Sequence, residues 1–235
     1  MRRQAVEDKI RTHFYEFFTR ESQRLVEHIA SKLRKDASDD VNETLSSYDW
    51  SSWQIAIEAA LPLLTETFLI GANDVSSFLA VDLLAGTDPR AIEYARERAG
   101  SLIGAGKNPE YALDGSTRKM LHDTLVQQFE QGAQSIQDLA AVIQNDYAFS
   151  ESRATTIART ETGTAYNIGA IARYRDVGIP KVQVFDGVDY DDECANADGQ
   201  IWDLDYAEEH PLQHPNCHRA FSGIFEDDNQ EVDES

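Results

Sequence analysis

Five residues near the C-terminus, Cys194, His210, His214, Cys217 and His218, carry the side chains best suited to chemistry. Thiolates and imidazoles are the soft or borderline ligands that Zn²⁺ takes three or four at a time in a tetrahedron. His214 and Cys217 share an HPxC turn and Cys194 lies more than twenty residues earlier, so the ligands would arrive as two clusters. Neither half is a CxxC pair. Pro211 and Pro215 also keep the three histidines, spaced four apart, from forming one helical face. The thiols have two other fates. As the only cysteines they would form a disulfide outside a reducing compartment, or each is a plain buried thiol. Metal, disulfide and inert thiol therefore stand side by side, with Cys194, His214, Cys217 and His218 as the metal candidates.

The same stretch is dense in carboxylates. Asp189, Asp191, Asp192, Glu193, Asp198, Asp203 and Asp205 invite a calcium reading, but an EF-hand loop needs Gly at its sixth position. Counted from Asp189 that position is Cys194, and a solvated acidic loop is the simpler account. Signatures of hydrolytic or phosphoryl-transfer enzymes are missing: there is no GxSxG, no Walker glycine loop, no HExxH, and no H-x-E with PCxxC. No residue is assigned a catalytic role, and no cofactor is expected beyond a structural zinc.

A second constellation, RATTIARTETGTAYN, begins at Arg153. Arg159 and Glu161 are two apart, about 200° around a helix, so they cannot pair with each other. Thr160, Thr164 and Asn167 fall at i, i+4 and i+7 and form a polar stripe. Such a stripe either hydrogen-bonds a facing loop or is a solvated face.

Helices must position these groups. Val6, Ile10, Phe14, Phe17, Phe18, Leu25, Ile29 and Leu33 recur three or four apart, with Arg11, Arg20, Arg24 and Arg34 among them, as on a long amphipathic helix. Its stripe is either ordinary core or a docking face over residues 1–35. Asp36 to Ser52 reads as a loop. Trp53 to Leu69 reads as an apolar helix that Pro62 should kink or split. Thr87 caps a helix over Arg90 to Leu102, Ser116 opens another that stops at Gly132, and Ser135 with Asp138 forms a capping box. Ser150 opens a long helix ended by Gly178 and Pro180. Beyond it, Lys181 to Asp186 alternates as a strand does, and Gln200 to Leu204 could pair with it. The last ten residues hold six acids and little to bury, and read as a disordered tail. The expected fold is mainly α: a helical body with a small irregular α+β module at the C-terminal end.

Charge restricts the partners. The 235 residues carry 21 Lys and Arg against 42 Asp and Glu, a formal net charge of -21. Such a field repels phosphate and argues against broad nucleic-acid binding. The distribution is uneven, with nine basic and five acidic side chains in residues 1–35, and sixteen acids with the single Arg219 in residues 182–235. Only six basic residues are Lys. Sparse Lys with abundant carboxylate suits molar salt, where the Debye length falls to about 3 Å, and equally describes an ordinary acidic protein. No run approaches the roughly 20 apolar residues of a membrane span, and MRRQAVEDKI lacks the apolar stretch of a secretory signal. No membrane association is expected.

Taken together, these motifs resemble those of the phage Mu F-like minor head protein family, also called the phage head morphogenesis family. One match is RATTIARTETGTAYNIG, Arg153 to Gly169, against a helical Arg-Ala, Ile-Ala-Arg-Thr-Glu and Asn signature. The other is Cys194, Asp198 and Gly199 followed by HPNCHR, His214 to Arg219, against a Cys or His before Asp-Gly and a terminal HPNCRC. The resemblance spans roughly Leu83 to Phe225 and divides the chain into an N-terminal helical region over 1–85, the Mu F-like domain over 86–225 and the tail over 226–235. Its structural motif residues are Arg153, Arg159, Thr160, Glu161, Asn167, Asp198, Gly199, Pro215 and Asn216. Two departures stand out. Arg219 replaces the last cysteine, with His218 intervening, and Leu212 and Gln213 stand where relatives often have prolines. Arg159 or Glu161 is expected to lock onto the Cys194 to Cys217 loop, so that Arg159→Ala would unfold the C-terminal module.

The resemblance implies a non-enzymatic virion component of a tailed virus, present in few copies in the capsid interior or at the portal vertex, and in the host cytoplasm during assembly. Its implied partners are the portal protein and major capsid or scaffold proteins, with packaged DNA met through the basic first helix. The alternative is a metal-dependent hydrolase or toxin-like domain built on Cys194, His214 and Cys217.

Overall fold

The computed structural model describes residues 2–32, 40–84, 88–104, 112–131, 135–186 and 191–225. Leu33, Arg34, the start of the expected 36–52 loop, Thr87, Gly132, Asp189 and the acidic tail lie outside them. In chain order the elements are α1 (Arg2–Lys32), α2 (Asp40–Ser46), α3 (Ser51–Ala59), α4 (Leu61–Phe78), α5 (Pro89–Leu102), α6 (Leu113–Glu130), α7 (Ile136–Asn145), α8 (Glu151–Asp176), β1 (Lys181–Phe185), α9 (Asp192–Ala197), β2 (Ile201–Asp203), α10 (Leu204–Glu209) and β3 (Ala220–Ile224). The architecture is mainly α with one small antiparallel sheet, as the residue pattern predicts.

The chain forms two compact units assembled from discontinuous segments, residues 4–63 with 92–158, and residues 1–3 with 64–91 and 159–235.

The first unit is helical. The apolar stripe of α1 is core: Ile10, Phe14, Phe18, Leu25 and Ile29 are buried. Phe17 meets Trp53 edge to face at 4.9 Å between ring centroids, and Phe18 meets Phe149 at 6.3 Å. Arg153, at the start of α8, is buried in this unit. Its guanidinium lies over Phe18, at 5.3 Å from the ring centroid, and donates to Thr117 Oγ1, Ser116 Oγ and the carbonyls of Leu113 and Ala148. Burial pulls its pKa down to about 10, while four buried or half-buried acceptors and aromatic faces compensate the charge. This arrangement also corrects the start of α6. The helix begins at Leu113, because Ser116 is spent on Arg153 and on Leu113 O instead of capping. Helix α2 forms inside the stretch read as a loop, and the apolar helix read over Trp53 to Leu69 runs on to Phe78, whereas several caps fall where the sequence places them. Pro62 sits in the first turn of α4, with the break at Ala60. Ser135 Oγ accepts from Asp138 N, Ser150 Oγ accepts from Arg153 N, and Asp88 Oδ1 accepts from Arg90 N at the head of α5.

Ser51–Phe78 is, among the described residues, one stretch of 28 residues apolar enough by length and composition alone to cross a bilayer, which revises the expectation that no run comes close. It is broken at Ala60, and its buried side chains, from Trp53 and Ile57 to Leu64, Phe68 and Ala72, belong to the cores of the two units.

The second unit builds the C-terminal module. Its portions of α4 and α8 cross at a pair of glycines. A Cβ on Gly71 would lie 2.0 Å from Tyr166 O, and one on Gly169 would lie 2.0 Å from Phe68 O, so only glycine permits this approach. Helix α8 ends in a Schellman arrangement, with Gly178 at φ 77° and the bonds Ile179 N to Tyr174 O and Gly178 N to Arg175 O. That reversal delivers β1, the centre of a three-stranded sheet in the order β2-β1-β3. Val182 pairs with Trp202 on one side and Gly223 on the other. Val182 and Val184 point into a core with Val75, Ile171, Tyr174, Leu204 and Phe221, while Lys181 and Phe185 face outward. The strand over 201–203 was foreseen. β3 was not, because AFSGI has no clean alternation and its Gly223 is required by the Tyr174 ring, 2.7 Å from where a Cβ would be.

Candidate functional site

The HPNC sequence is a β-turn. Cys217 N donates to His214 O at 3.2 Å, Pro215 occupies the second position where its fixed φ is pre-organised, and Asn216 takes the third at φ 71°. Asn is among the few non-glycine residues that tolerate that region. Closing the turn brings His214 and Cys217 to one side. Cys194 arrives from α9, whose N-cap Asp191 accepts from Cys194 N at 2.7 Å. Cys194 Sγ then lies 3.3 Å from His214 Nε2 and 3.9 Å from Cys217 Sγ. The three ligand atoms all lie within 4.8 Å of one another. Both thiols are buried and unbonded to each other, and the imidazole is half-buried.

The surroundings are polar and ordered. His214 Nδ1 is 2.8 Å from Pro215 O, a contact in which Nδ1 donates, and Nε2 faces Cys194. The carboxylate of Asp191 sits 3.0 Å from the same Nε2. Its pKa is held below the usual carboxylate range, first by the Cys194 amide. Burial, with Cys217 close by, pushes the Cys194 thiol up to about 12. Cys217 Sγ accepts from the Arg219 amide at 3.4 Å and donates toward Asp186 Oδ1 at 3.7 Å.

The remaining expected ligand falls elsewhere. His218 is exposed and outside the cluster, since Cys217 holds the inward position of the turn. His210 stacks on Tyr206 at 4.1 Å between centroids and is also not part of it.

Helix α8 grips this hairpin along one stripe. Thr160 Oγ1 accepts from Asn216 N at 2.9 Å, and Arg159 Nη1 donates to Asn216 Oδ1 at 2.9 Å. Asn167, fully buried, donates through Nδ2 to Pro211 O at 2.8 Å and to Arg219 O at 2.9 Å. Gly163 lies between them and makes room for Leu212, whose methyl carbon would be 3.3 Å from a Cβ there. The stripe is thus a seam rather than a solvated face. Thr164 is the exception, bonding Thr160 O within its own helix. Glu161 is buried on α8.

Asp198 and Gly199 act at one remove. Gly199, at φ 77°, turns the chain so that its amide bonds Val184 O, and Asp198 Oδ1 accepts from Asp186 N at 3.0 Å. Asp186 is thereby placed to bind Arg219 by two bonds of 2.8 Å, with both side chains at 0% exposure. Arg219 also donates to His210 O, and its guanidinium lies 4.8 Å from the Trp202 ring centroid. Sequence reasoning missed this pair. Arg219 stands out in the sequence as a replaced cysteine and as the one basic residue in residues 182–235, but its partner Asp186 lies thirty-three residues away and is not legible from spacing.

A helix-clamped hairpin closing a small sheet defines a compact structural module, and its polar side chains are spent mainly on holding the hairpin. The matching family is described as Phage Mu protein F like protein, over residues 119–222. Residues 119–222 are thus similar to the phage Mu F-like family, which is associated with phage head morphogenesis, a likeness that covers less than half of the chain. No curated protein and no solved structure matches the chain.

Proposed function

We propose that the chain is a non-enzymatic minor head protein of a tailed virus, acting at the portal vertex during head assembly and packaged with the genome. The observation that carries this reading is the position of the family match: it covers the helix α8 and the hairpin whose motif residues bond each other. The portal protein is the main partner, with scaffold or major capsid proteins as further contacts. The net-basic charge of α1 suits contact with packaged DNA, whereas the acidic C-terminal residues would be repelled by its phosphates. The low Lys content fits a virus of a salt-loving host.

Mass spectrometry of purified virions, quantified against the portal, tests this. The protein is expected in few copies per particle, and virions assembled without it are expected to be reduced in number or in infectivity. Its absence from virions, or capsid-like abundance, would overturn the reading. Chelator-sensitive hydrolytic activity of the purified protein would instead favour a metal-dependent hydrolase.

A further inference from the structure

We propose that Cys194, His214 and Cys217 bind one Zn²⁺ ion, and that this ion joins α9 to the HPNC turn. The proposal stands apart from the head-assembly role, since it concerns how the module is held together.

Geometry supports it first. With Zn–S near 2.3 Å and Zn–N near 2.05 Å, a tetrahedral site has an S···S edge of about 3.8 Å and an S···N edge of about 3.6 Å. The corresponding separations here are 3.9 Å and 3.3 Å. Three donors from two segments twenty and more residues apart already stand at the corners of one coordination shell. The donor set, two sulfurs and an imidazole, is the soft to borderline kind that selects zinc over calcium or magnesium.

Outer contacts are also those of a ligand set. The Pro215 carbonyl fixes His214 with Nε2 free to coordinate. The Arg219 amide points at Cys217 Sγ, where it would stabilise a thiolate. The Asp191 carboxylate, 3.0 Å from His214 Nε2, borders the site from outside the three-donor cluster. Two buried thiols gain nothing comparable from facing each other, whereas a cation between them would deprotonate both. Binding therefore exchanges two thiol protons for one Zn²⁺, with no redox change.

The test uses the full chain. Zinc content is measured by elemental analysis after purification from zinc-supplemented culture, and chelator-stripped protein is titrated with Co²⁺. One equivalent of metal is expected, with a near-ultraviolet thiolate-to-cobalt band and the strong visible bands of a tetrahedral ion. Chelation should lower the melting temperature. His214 is only half-buried, so His214→Ala should stay folded yet lose more than the roughly 10–100-fold in affinity typical of an outer-shell partner. His218→Ala should bind as the parent does. Asp191→Ala should keep the stoichiometry, since Asp191 lies outside the three-donor cluster. Two results would overturn the site altogether. One is a mass lower by two hydrogens with no titratable thiol, which is a disulfide. The other is two free thiols and no cobalt band in the folded wild-type chain.

Discussion

Replacing Asn167 by Ala removes both Nδ2 bonds that tie α8 to the hairpin, to Pro211 O and Arg219 O. The Arg219 carbonyl lies in a buried contact and the Pro211 carbonyl in a half-buried one, so their losses are about 2 and about 1 kcal/mol. The space left by the amide adds about 1 kcal/mol. Against this, Asn167 Oδ1 is itself a buried acceptor without a partner, and its removal returns about 1 kcal/mol. The net loss is about 3 kcal/mol. Amide hydrogen exchange in β1 and β3 should then speed up by about 100-fold, while amides of α1 and α3, in the other unit, serve as internal controls. Asn167→Asp should cost more, because a carboxylate oxygen would replace the donor in front of two carbonyl oxygens. Arg159→Ala, by contrast, removes among its contacts a bond to Asn216 at the exposed rim of the seam and should cost less than Asn167→Ala. Unchanged protection in β1 and β3 of Asn167→Ala, or a larger loss in Arg159→Ala, would refute this account of the seam.

Three further outcomes follow from other contacts. Gly169→Ala would drive a methyl group into Phe68 O and should destabilise by about 2 kcal/mol or more despite alanine's better helix propensity; Gly100→Ala, with nothing within 4 Å of its new methyl, should instead gain about 0.5–1 kcal/mol, both read from urea unfolding. Arg219→Met leaves Asp186 buried and unpaired and should cost about 3–5 kcal/mol, while Arg219→Met with Asp186→Leu should cost clearly less, a comparison made on the same denaturation curves. Asp88 is held below its ordinary pKa chiefly by hydrogen bonds from the Arg90 side chain, and then by the Arg90 amide. Its contribution is therefore complete above the unfolded carboxylate value near 4 and disappears as pH falls through the depressed folded value. Asp88→Asn should lose stability at pH 7 and flatten the acid limb of the melting-temperature profile, an effect that an unaltered profile would disprove.

Much of the framework was legible because it rests on local rules. Ser135 and Ser150 cap where a hydroxyl precedes a helical run, Gly178 ends α8 because glycine alone takes φ 77° cheaply, and Val182 and Val184 alternate into a core. The stripe of Thr160 and Asn167 was legible as a stripe, since helical spacing is a property of the segment itself. Its purpose was not, because the loop that it bonds lies more than forty residues onward. Nor was β3 visible, as its strand character comes from pairing with β1 rather than from its own residues.

By itself, then, the amino-acid order determined most of the long helices, several of their caps, the two short strands first recognised and the residue types suited to a soft metal. Those features depend on backbone propensity, capping and periodicity within a few neighbours. Only the tertiary structure decided which ligands meet. His214 and Cys217 are turned inward by the left-handed Asn216, His218 is left in solvent, and Asp186 and Arg219 find each other across thirty-three residues. The physical reason is that a buried charge or lone pair must be satisfied by whatever the folded chain brings beside it, and sequence separation does not limit that choice.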